Sequence, residues 1–300
     1  MQIAVMGAGA VGCYFGAMLA RAGHRVTLIG RSQHVEAIRQ HGLLLEHRDF
    51  KDHVRVAATT DAIGVVEADV VLFCVKSADT EAAGRLIAPH LKQGAVVLCL
   101  QNGVDNAERL QATIDKIAVP AIVYVAAEMA GPGHVKHHGR GELIIGASPS
   151  SASIAATFTQ AGVPTAVSDK VVNELWLKLI TNCAYNALSA VAQMPYGRLF
   201  KVDGVTEVVR AVVRECTEVA SALDIAVPEN IDETVLALAG SMPNQYSSTA
   251  QDLARGKKTE IDYLNGYVVR KGEELSIPTP VNRALLVMVK LLEEKTQQAI

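Results

Sequence analysis

Lys178, Asn182 and Asn186 recur every four residues in the segment Glu174 to Gln193, ELWLKLITNCAYNALSAVAQ, so a helix there stacks one ammonium and two amides on a single face. Leu175, Trp176, Leu177, Leu179, Ile180, Cys183, Ala184, Ala187 and Leu188 surround that face, which predicts a largely buried helix. Buried ammonium and amide groups need partners. Two residues with poor helix propensity in mid-helix suggest a use beyond folding. An ammonium on such a face can give up a proton, and the amides can hold a carbonyl or hydroxyl. A satisfied polar network between packed helices is the competing reading.

The other titratable groups narrow the choice of acid. All 9 histidines lie at or before His138, so an acid supplied by the second half of the chain is something other than His. Ser247, Ser248 and Thr249 form a hydroxyl-rich stretch suited to a carboxylate. Glu260 and Asp262 alternate with apolar residues in TEIDYLNG, a pattern read either as a solvated helical face or as one that buries an acid. His134, His137 and His138 cluster between glycines, but no spaced set of further ligands accompanies them, so no metal is expected.

The first half carries a nucleotide motif. The strand-like QIAVMG, residues 2 to 7, runs into Gly7, Ala8, Gly9, Ala10, Val11 and Gly12, which open the helix-like Val11 to Arg21, with a second strand at His24 to Ile29. In this context GxGxxG reads as a dinucleotide site: tight turn, close approach of pyrophosphate to backbone amides, and close helix packing. A βα turn without a ligand is the alternative. Sites for NAD generally place an acid at the end of the second strand, whereas this chain reads Leu28-Ile29-Gly30-Arg31-Ser32. A guanidinium at Arg31 suits a 2′-phosphate, so NADP (as NADPH) is the expected cofactor, the alternative being a solvated arginine. Lys76, just past VVLFCV, is a second candidate for the adenosine phosphate or a simple strand end. Asn102 in Gln101-Asn102-Gly103 lies past a further strand, where it points into the ligand crevice or forms a tight turn.

These residues need a frame. Strands are expected at Val70 to Val75, Ala95 to Leu100 and Ala121 to Ala127, with helices at Asp79 to His90 and Asn106 to Thr113 and a short antiparallel edge addition over Gly133 to Gly146. Continuous apolar strands alternating with helices predict a doubly wound parallel sheet of Rossmann type. A last excursion, Ser151 to Ala161 helical and Val163 to Val167 extended, precedes a nearly all-helical stretch at 170 to 192, 204 to 223, 230 to 239, 246 to 271 and 280 to 297. The expected domains are 1–168, dinucleotide-binding, and 169–300, helical and catalytic. Half of the 300 residues are apolar, and a formal charge of -3 gives no electrostatic case for nucleic acid or an anionic membrane. No apolar run reaches the roughly 18 residues of a membrane helix, and five cysteines without a CxxC pair fit reduced thiols, so a cytoplasmic protein is expected. Val205 to Leu223 and Val281 to Leu292 are apolar enough for a homodimer or for a domain core.

Taken together the chain resembles the ketopantoate reductases (2-dehydropantoate 2-reductases), NADPH-dependent enzymes of pantothenate biosynthesis. The resemblance covers essentially the whole chain and rests on GAGAVG, Arg31, VKS around Lys76, QNGV at Asn102, LWLKLITNCAYN, and SSTAQDLARGKKTEIDYLNGYVV from Ser247. It implies that Lys178 is the general acid, that Glu260 assists it, and that Asn102, Asn182, Asn186 and Ser248 contact substrate or cofactor. Asp79 departs from relatives that carry a glutamine near the adenosine phosphate. A reductase of another 2-oxo acid or a 3-hydroxy acid, and a non-catalytic NADP-sensing protein, are the competing functions.

Overall fold

The computed structural model describes residues 1–298, with side-chain surroundings given to residue 295. The chain divides into two compact units, Met1–Val171 and Val172–Ile300. Among the described residues no helix is long and apolar enough to cross a membrane.

The first unit runs β1 (Gln2–Met6), α1 (Ala10–Arg21), β2 (Arg25–Ile29), α2 (Ser32–His41), β3 (Leu43–Glu46), β4 (Lys51–Val54), β5 (Ala57–Thr59), β6 (Val70–Phe73), α3 (Thr80–Ile87), β7 (Val96–Cys99), α4 (Asn106–Ile114), β8 (Ala118–Gly131), β9 (His134–Gly146), α5 (Ser151–Gln160) and β10 (Thr165–Ser168). The strands form one sheet in the order β4-β3-β9-β8-β7-β6-β1-β2-β5, with β10 paired to β9. From β5 to β8 every pairing is parallel, and the order β5-β2-β1-β6-β7-β8 is that of a Rossmann sheet.

Strand periodicity sorts the core onto the two faces. Ile3 and Val5 of β1 join Leu28, Leu72 and Leu98 beneath α1, where Phe15 and Leu19 are fully buried. Ala4 and Met6 point the other way, to Phe73, Val97 and the α3 and α4 residues Ile87 and Leu110. Burial of each such side chain contributes about 1.5–3 kcal/mol relative to exposure.

Three expectations are corrected here. Residues 43–59 contain β3, β4 and β5, which the sequence reading passed over. The segment read as a short edge addition is a long strand inside the sheet: β9 pairs antiparallel with β8 on one side and parallel with β3 and β10 on the other. The predicted helix over 246–271 is broken into α10 and α11, as described below.

A column of rings ties this addition to α1. Tyr14 stacks on His137 at 4.5 Å, His137 on His47 at 4.5 Å and His47 on Phe50 at 4.6 Å. The Arg21 guanidinium caps the column 3.6 Å from the Phe50 centroid. His137 donates from Nε2 to the Arg140 carbonyl at 2.6 Å.

The second unit is helical: α6 (Val171–Ala192, starting at the unit boundary), α7 (Tyr196–Leu199), α8 (Val205–Ala222), α9 (Ile231–Ser241), α10 (Ser248–Ala254), α11 (Asn265–Leu275) and α12 (Pro280–Gln298). Helix α6 buries Trp176, Leu179, Ile180, Cys183 and Ala184 among the other helices. Tyr185 donates its hydroxyl to the Val235 carbonyl at 2.7 Å and accepts from the Ala239 amide at 3.2 Å, which satisfies a buried phenol. The break between α10 and α11 has a local cause. Gly256 adopts φ +64°, its amide reaches the Leu253 carbonyl, and the Lys257 amide reaches the Asp252 carbonyl, a Schellman closure that ends α10.

A buried polar chain binds four helices. Glu215 of α8 accepts from the Val281 and Asn282 amides at 2.8 and 2.9 Å, which caps the first turn of α12. Asn282 Nδ2 also donates to Glu215 at 2.8 Å, and Asn265 Nδ2 donates to Asn282 Oδ1 at 2.9 Å and to the Cys183 carbonyl of α6 at 3.1 Å.

Burial, then the neighbouring His137, hold the His47 pKa below its ordinary 6.5, with Asp49 opposing them. The unfolded chain therefore takes up a proton near pH 6.5 that folded His47 resists, and stability falls as pH drops through that range. The urea midpoint should fall between about pH 7.5 and about pH 5.5 by a larger amount in wild type than in His47→Phe, which keeps the stacking. Equal falls in the two proteins would show that His47 does not report in this way.

Candidate active site

In the first unit the glycine loop sits where the strand order reverses, between β1 and β6. Gly7 has φ +109°, and a Cβ there would lie 2.7 Å from the Cys74 carbonyl carbon at the end of β6. A Cβ on Gly12 would strike the Gly7 carbonyl oxygen and come within 2.7 Å of Val5 Cγ1. Both positions are closed to any other residue. Gly9 differs, because nothing lies within 4 Å of its hypothetical Cβ. The filled positions fold the turn, and the open one leaves the space in which a diphosphate can approach the backbone at the start of α1. Ala8 is buried and packs on Gly30, where a Cβ would meet Ala8 Cβ at 2.5 Å. The sequence reading left Gly30 without a role, and its position between Ile29 and Arg31 was the available signal.

Arg31 is exposed and is the residue that caps α2. It presents its charge at a helix N-terminus, where the dipole also favours an anion. Lys76 is exposed at the turn after β6, and Asp79 is exposed just before α3. Asn102 is half-buried past β7, and Gly103 after it has φ +106°. The Asn102 carbonyl accepts from Ser77 Oγ at 3.0 Å and from Asn106 Nδ2 at 2.6 Å. Behind that loop Gln101 donates to Thr80 Oγ1 at 2.8 Å, and Arg109 grips Glu81 with bonds of 2.7 and 2.9 Å. This network fixes the Asn102 backbone and was not read from the sequence, because its members share no motif.

The histidine cluster disperses. His134 pairs with Glu46 at 3.1 Å, His138 with Glu128 at 3.0 Å, and His137 belongs to the ring column. Among the described residues no group of three or more His, Cys, Asp and Glu side chains is placed to hold a metal ion.

In the second unit Lys178 and Asn182 are half-buried on α6, and Asn186 is 3% exposed. Two segments distant in sequence pack along this helix. At one level Ser247 donates its hydroxyl to the Asn186 carbonyl at 3.1 Å, and its amide donates to Ser189 Oγ at 3.2 Å. The same hydroxyl accepts from the Ala250 amide at 3.0 Å, so Ser247 is the N-cap of α10. Ser247 is thus spent on structure, while Ser248, at the first position of α10, is exposed with its hydroxyl beside that anchored turn. At the next level toward Lys178, Asn265 holds the Cys183 carbonyl, and farther along Tyr267 meets Trp176 edge to face at 5.8 Å.

Glu260 lies on the connection between these two anchors and is half-buried. The alternation in TEIDYLNG buries the residues around the acids: Thr259 is 8% and Ile261 0% exposed. The Thr259 amide donates to Glu293 of α12 at 2.7 Å, and Asp262 is engaged by Lys290 at 2.8 Å. Lys178, Asn182, Asn186, Ser248 and Glu260 are therefore all carried by one helical unit, on α6 and on the segments that α6 and α12 hold. Cys183, the thiol in the middle of α6, is pushed up in pKa by burial, which suits packing and not nucleophilic attack.

Comparison with known proteins agrees with both halves. A family model described as "Ketopantoate reductase PanE/ApbA" matches residues 3–150, and one described as "Ketopantoate reductase PanE/ApbA C terminal" matches residues 170–293. A 2-dehydropantoate 2-reductase of Halobacterium salinarum is 35% identical over 98% of this chain and 99% of its own. The crystal structure of a PanE/ApbA family ketopantoate reductase from Ralstonia eutropha JMP134 is 55% identical and covers 99% of this chain and 100% of that one, with a TM-score of 0.97. A D-mandelate dehydrogenase solved with NADH and anilino(oxo)acetate is 26% identical, covers 99% of this chain and 100% of that one, and has a TM-score of 0.92. The glycine loop, the order of the sheet and the polar face of α6 thus sit in a chain that belongs, along its whole length, to the ketopantoate reductase family.

Proposed function

We propose that this chain catalyses the NADPH-dependent reduction of 2-dehydropantoate to pantoate, a step of pantothenate biosynthesis, with Lys178 as general acid. The observation that carries the mechanism is the polar face of α6, an ammonium and two amides at four-residue spacing on a helix otherwise packed with apolar side chains.

Bound NADPH supplies the hydride to the ketone carbon. Charge then develops on the former carbonyl oxygen, and a donor already in position lowers that barrier. Lys178 gives the proton to this oxygen. Glu260 orients the ammonium and restores its charge balance, a part suited to a carboxylate held by backbone anchors on both sides. Asn182 and Asn186 hold the substrate hydroxyl and carbonyl, and Ser248, at the N-terminus of α10, receives the carboxylate. Asn102 holds the nicotinamide end of the cofactor. The loop from Gly7 to Gly12 receives the diphosphate, and Arg31 with Lys76 receives the adenosine phosphate.

The likeness to D-mandelate dehydrogenase favours a second reading, in which the same machinery reduces a 2-oxo acid with another side chain and uses NADH. Side-chain pockets discriminate by small energies, so a shared reaction does not fix the substrate.

A panel of 2-oxo acids followed by NADPH absorbance decides between them. The highest kcat/KM is expected for 2-dehydropantoate. A higher value for an aryl 2-oxo acid would transfer the assignment to the second reading, and binding of NADPH without turnover of any acid would point to a sensor. Lys178→Ala should lower kcat by about 10²-fold or more while leaving NADPH binding intact. Near-normal turnover in that variant would remove the lysine from its role. NADPH is expected to have the lower KM of the two cofactors, and Arg31→Ala should raise that KM by about tenfold with little change for NADH. A preference for NADH in the wild type would overturn the phosphate role of Arg31.

A further inference from the structure

In dinucleotide sites of this architecture the acid that takes the ribose hydroxyls stands at the end of the second strand. Here β2 ends at Ile29, and the residue that follows is Gly30, which has no side chain to offer. Its backbone is not the reason. Gly30 is absent from the glycines with positive φ, so its conformation is one that other residues adopt. The obstacle lies across the gap, on the glycine loop. A Cβ on Gly30 would come within 2.5 Å of Ala8 Cβ, whereas the next nearest heavy atoms, Ala8 N and Ala8 Cα, would be 3.4 and 3.5 Å away. Carbon atoms pack at about 3.5–4.0 Å, so those two are ordinary contacts and one methyl group accounts for the clash.

Neither side of the gap yields easily. The Gly7 and Ala8 amides both donate to the Ile29 carbonyl, at 2.9 and 3.0 Å, and fasten the loop to the strand end. On the far side the Gly30 amide donates to the Thr59 carbonyl of β5 at 3.0 Å. Ala8 is buried, and turning its methyl away would turn the loop that opens α1. Arg31, the next residue, is exposed. The strand end therefore presents a guanidinium and excludes a carboxylate.

We propose that Ala8 is a specificity-determining residue for the cofactor, its methyl barring an acid from position 30. The inference rests on the reading of the Gly7 to Gly12 loop and Arg31 as the NADPH site. A change at the strand end alone cannot turn this site toward a bare ribose diol, because the added side chain displaces the loop that receives the diphosphate. Ala8→Gly is the permissive change. After it, Gly30→Asp places a carboxylate that accepts from ribose hydroxyls and repels a phosphate.

The melting temperature of the protein without cofactor reads the clash. Gly30→Ala, which adds only the methyl, should lower it by at least about 3 °C. Ala8→Gly alone should lower it as well, since it adds a third glycine to the turn. Combined with Gly30→Ala, however, Ala8→Gly should raise it above that of Gly30→Ala alone. Dissociation constants from NADPH and NADH fluorescence read the selectivity. Wild type should hold NADPH at least about tenfold tighter than NADH. The Ala8→Gly, Gly30→Asp double variant should reverse that order and bind NADH at least about tenfold tighter than Gly30→Asp alone does. A Gly30→Asp protein that folds only when Ala8→Gly accompanies it would also support the clash. Gly30→Asp binding NADH as tightly as the double variant would overturn the proposal, as would a melting temperature that falls further when Ala8→Gly joins Gly30→Ala. A wild type that prefers NADH would overturn the NADPH reading and the selectivity role of Ala8 with it, while the melting series reports the steric contact separately.

Discussion

A polar atom inside an apolar helix must find a partner, and in the second unit the rest of the arrangement depends on how α6 meets that requirement. An unpaired buried donor costs about 1–3 kcal/mol, so the buried donors of Ser247 and Asn265 tie their segments to the acceptors that α6 offers. Ser189 and the Asn186 carbonyl take Ser247, which sets where α10 begins and so where Ser248 stands. The Cys183 carbonyl takes Asn265, which sets where α11 begins. The connection that carries Glu260 is strung between these fixed points. Asn265 in turn leans on Asn282, and Asn282 on the buried carboxylate of Glu215.

The first unit meets a steric constraint in place of a polar one. Where β1 turns into α1, the backbone passes so close to the end of β6 and to β1 itself that Gly7 and Gly12 admit no side chain. That closeness brings α1 onto the sheet, and Gly16 continues it, since a Cβ there would press on Leu28 Cδ2 at 2.8 Å. The polar groups under Gln101 and Asn102 play the corresponding part on the next loop, where hydrogen bonds hold the backbone still.

Much of this was legible in the sequence where one physical signal dominated. The strands in VVLFCV and AVVLCL are covered on both faces and read as unbroken apolar runs, and the GxGxxG turn reads from its glycines. Lys178, Asn182 and Asn186 stood out because their types conflict with their surroundings. Strand β4 was missed because its outer-edge sequence, Lys51-Asp52-His53-Val54, is mostly charged or polar, and β3 because its apolar run, Leu43-Leu44-Leu45, is too short to stand out. The hairpin strand β9 was misplaced at an edge because its pairing with β3 and β10 is decided by segments about 90 residues before it and 20 after it, which periodicity does not reveal. The break at Gly256 had a local sign, the glycine itself, but the apolar period of 246–271 outweighed it in the reading. The partners that answer α6 were illegible because they bond to its backbone. A carbonyl at Cys183 looks the same in every sequence, and Asn265 lies far along the chain from it.

The bond from the Thr259 amide to Glu293 has a consequence for how this protein can diverge. The loop that carries Glu260 is held through its own main chain by an acid on a different helix, so its position does not rest on the identity of Arg255, Lys257 and Lys258, which are exposed. Charge on this stretch can drift between descendants while the carboxylate beside it stays where it is. Glu293, outside the proposed catalytic set, is the residue whose loss would let that drift reach Glu260.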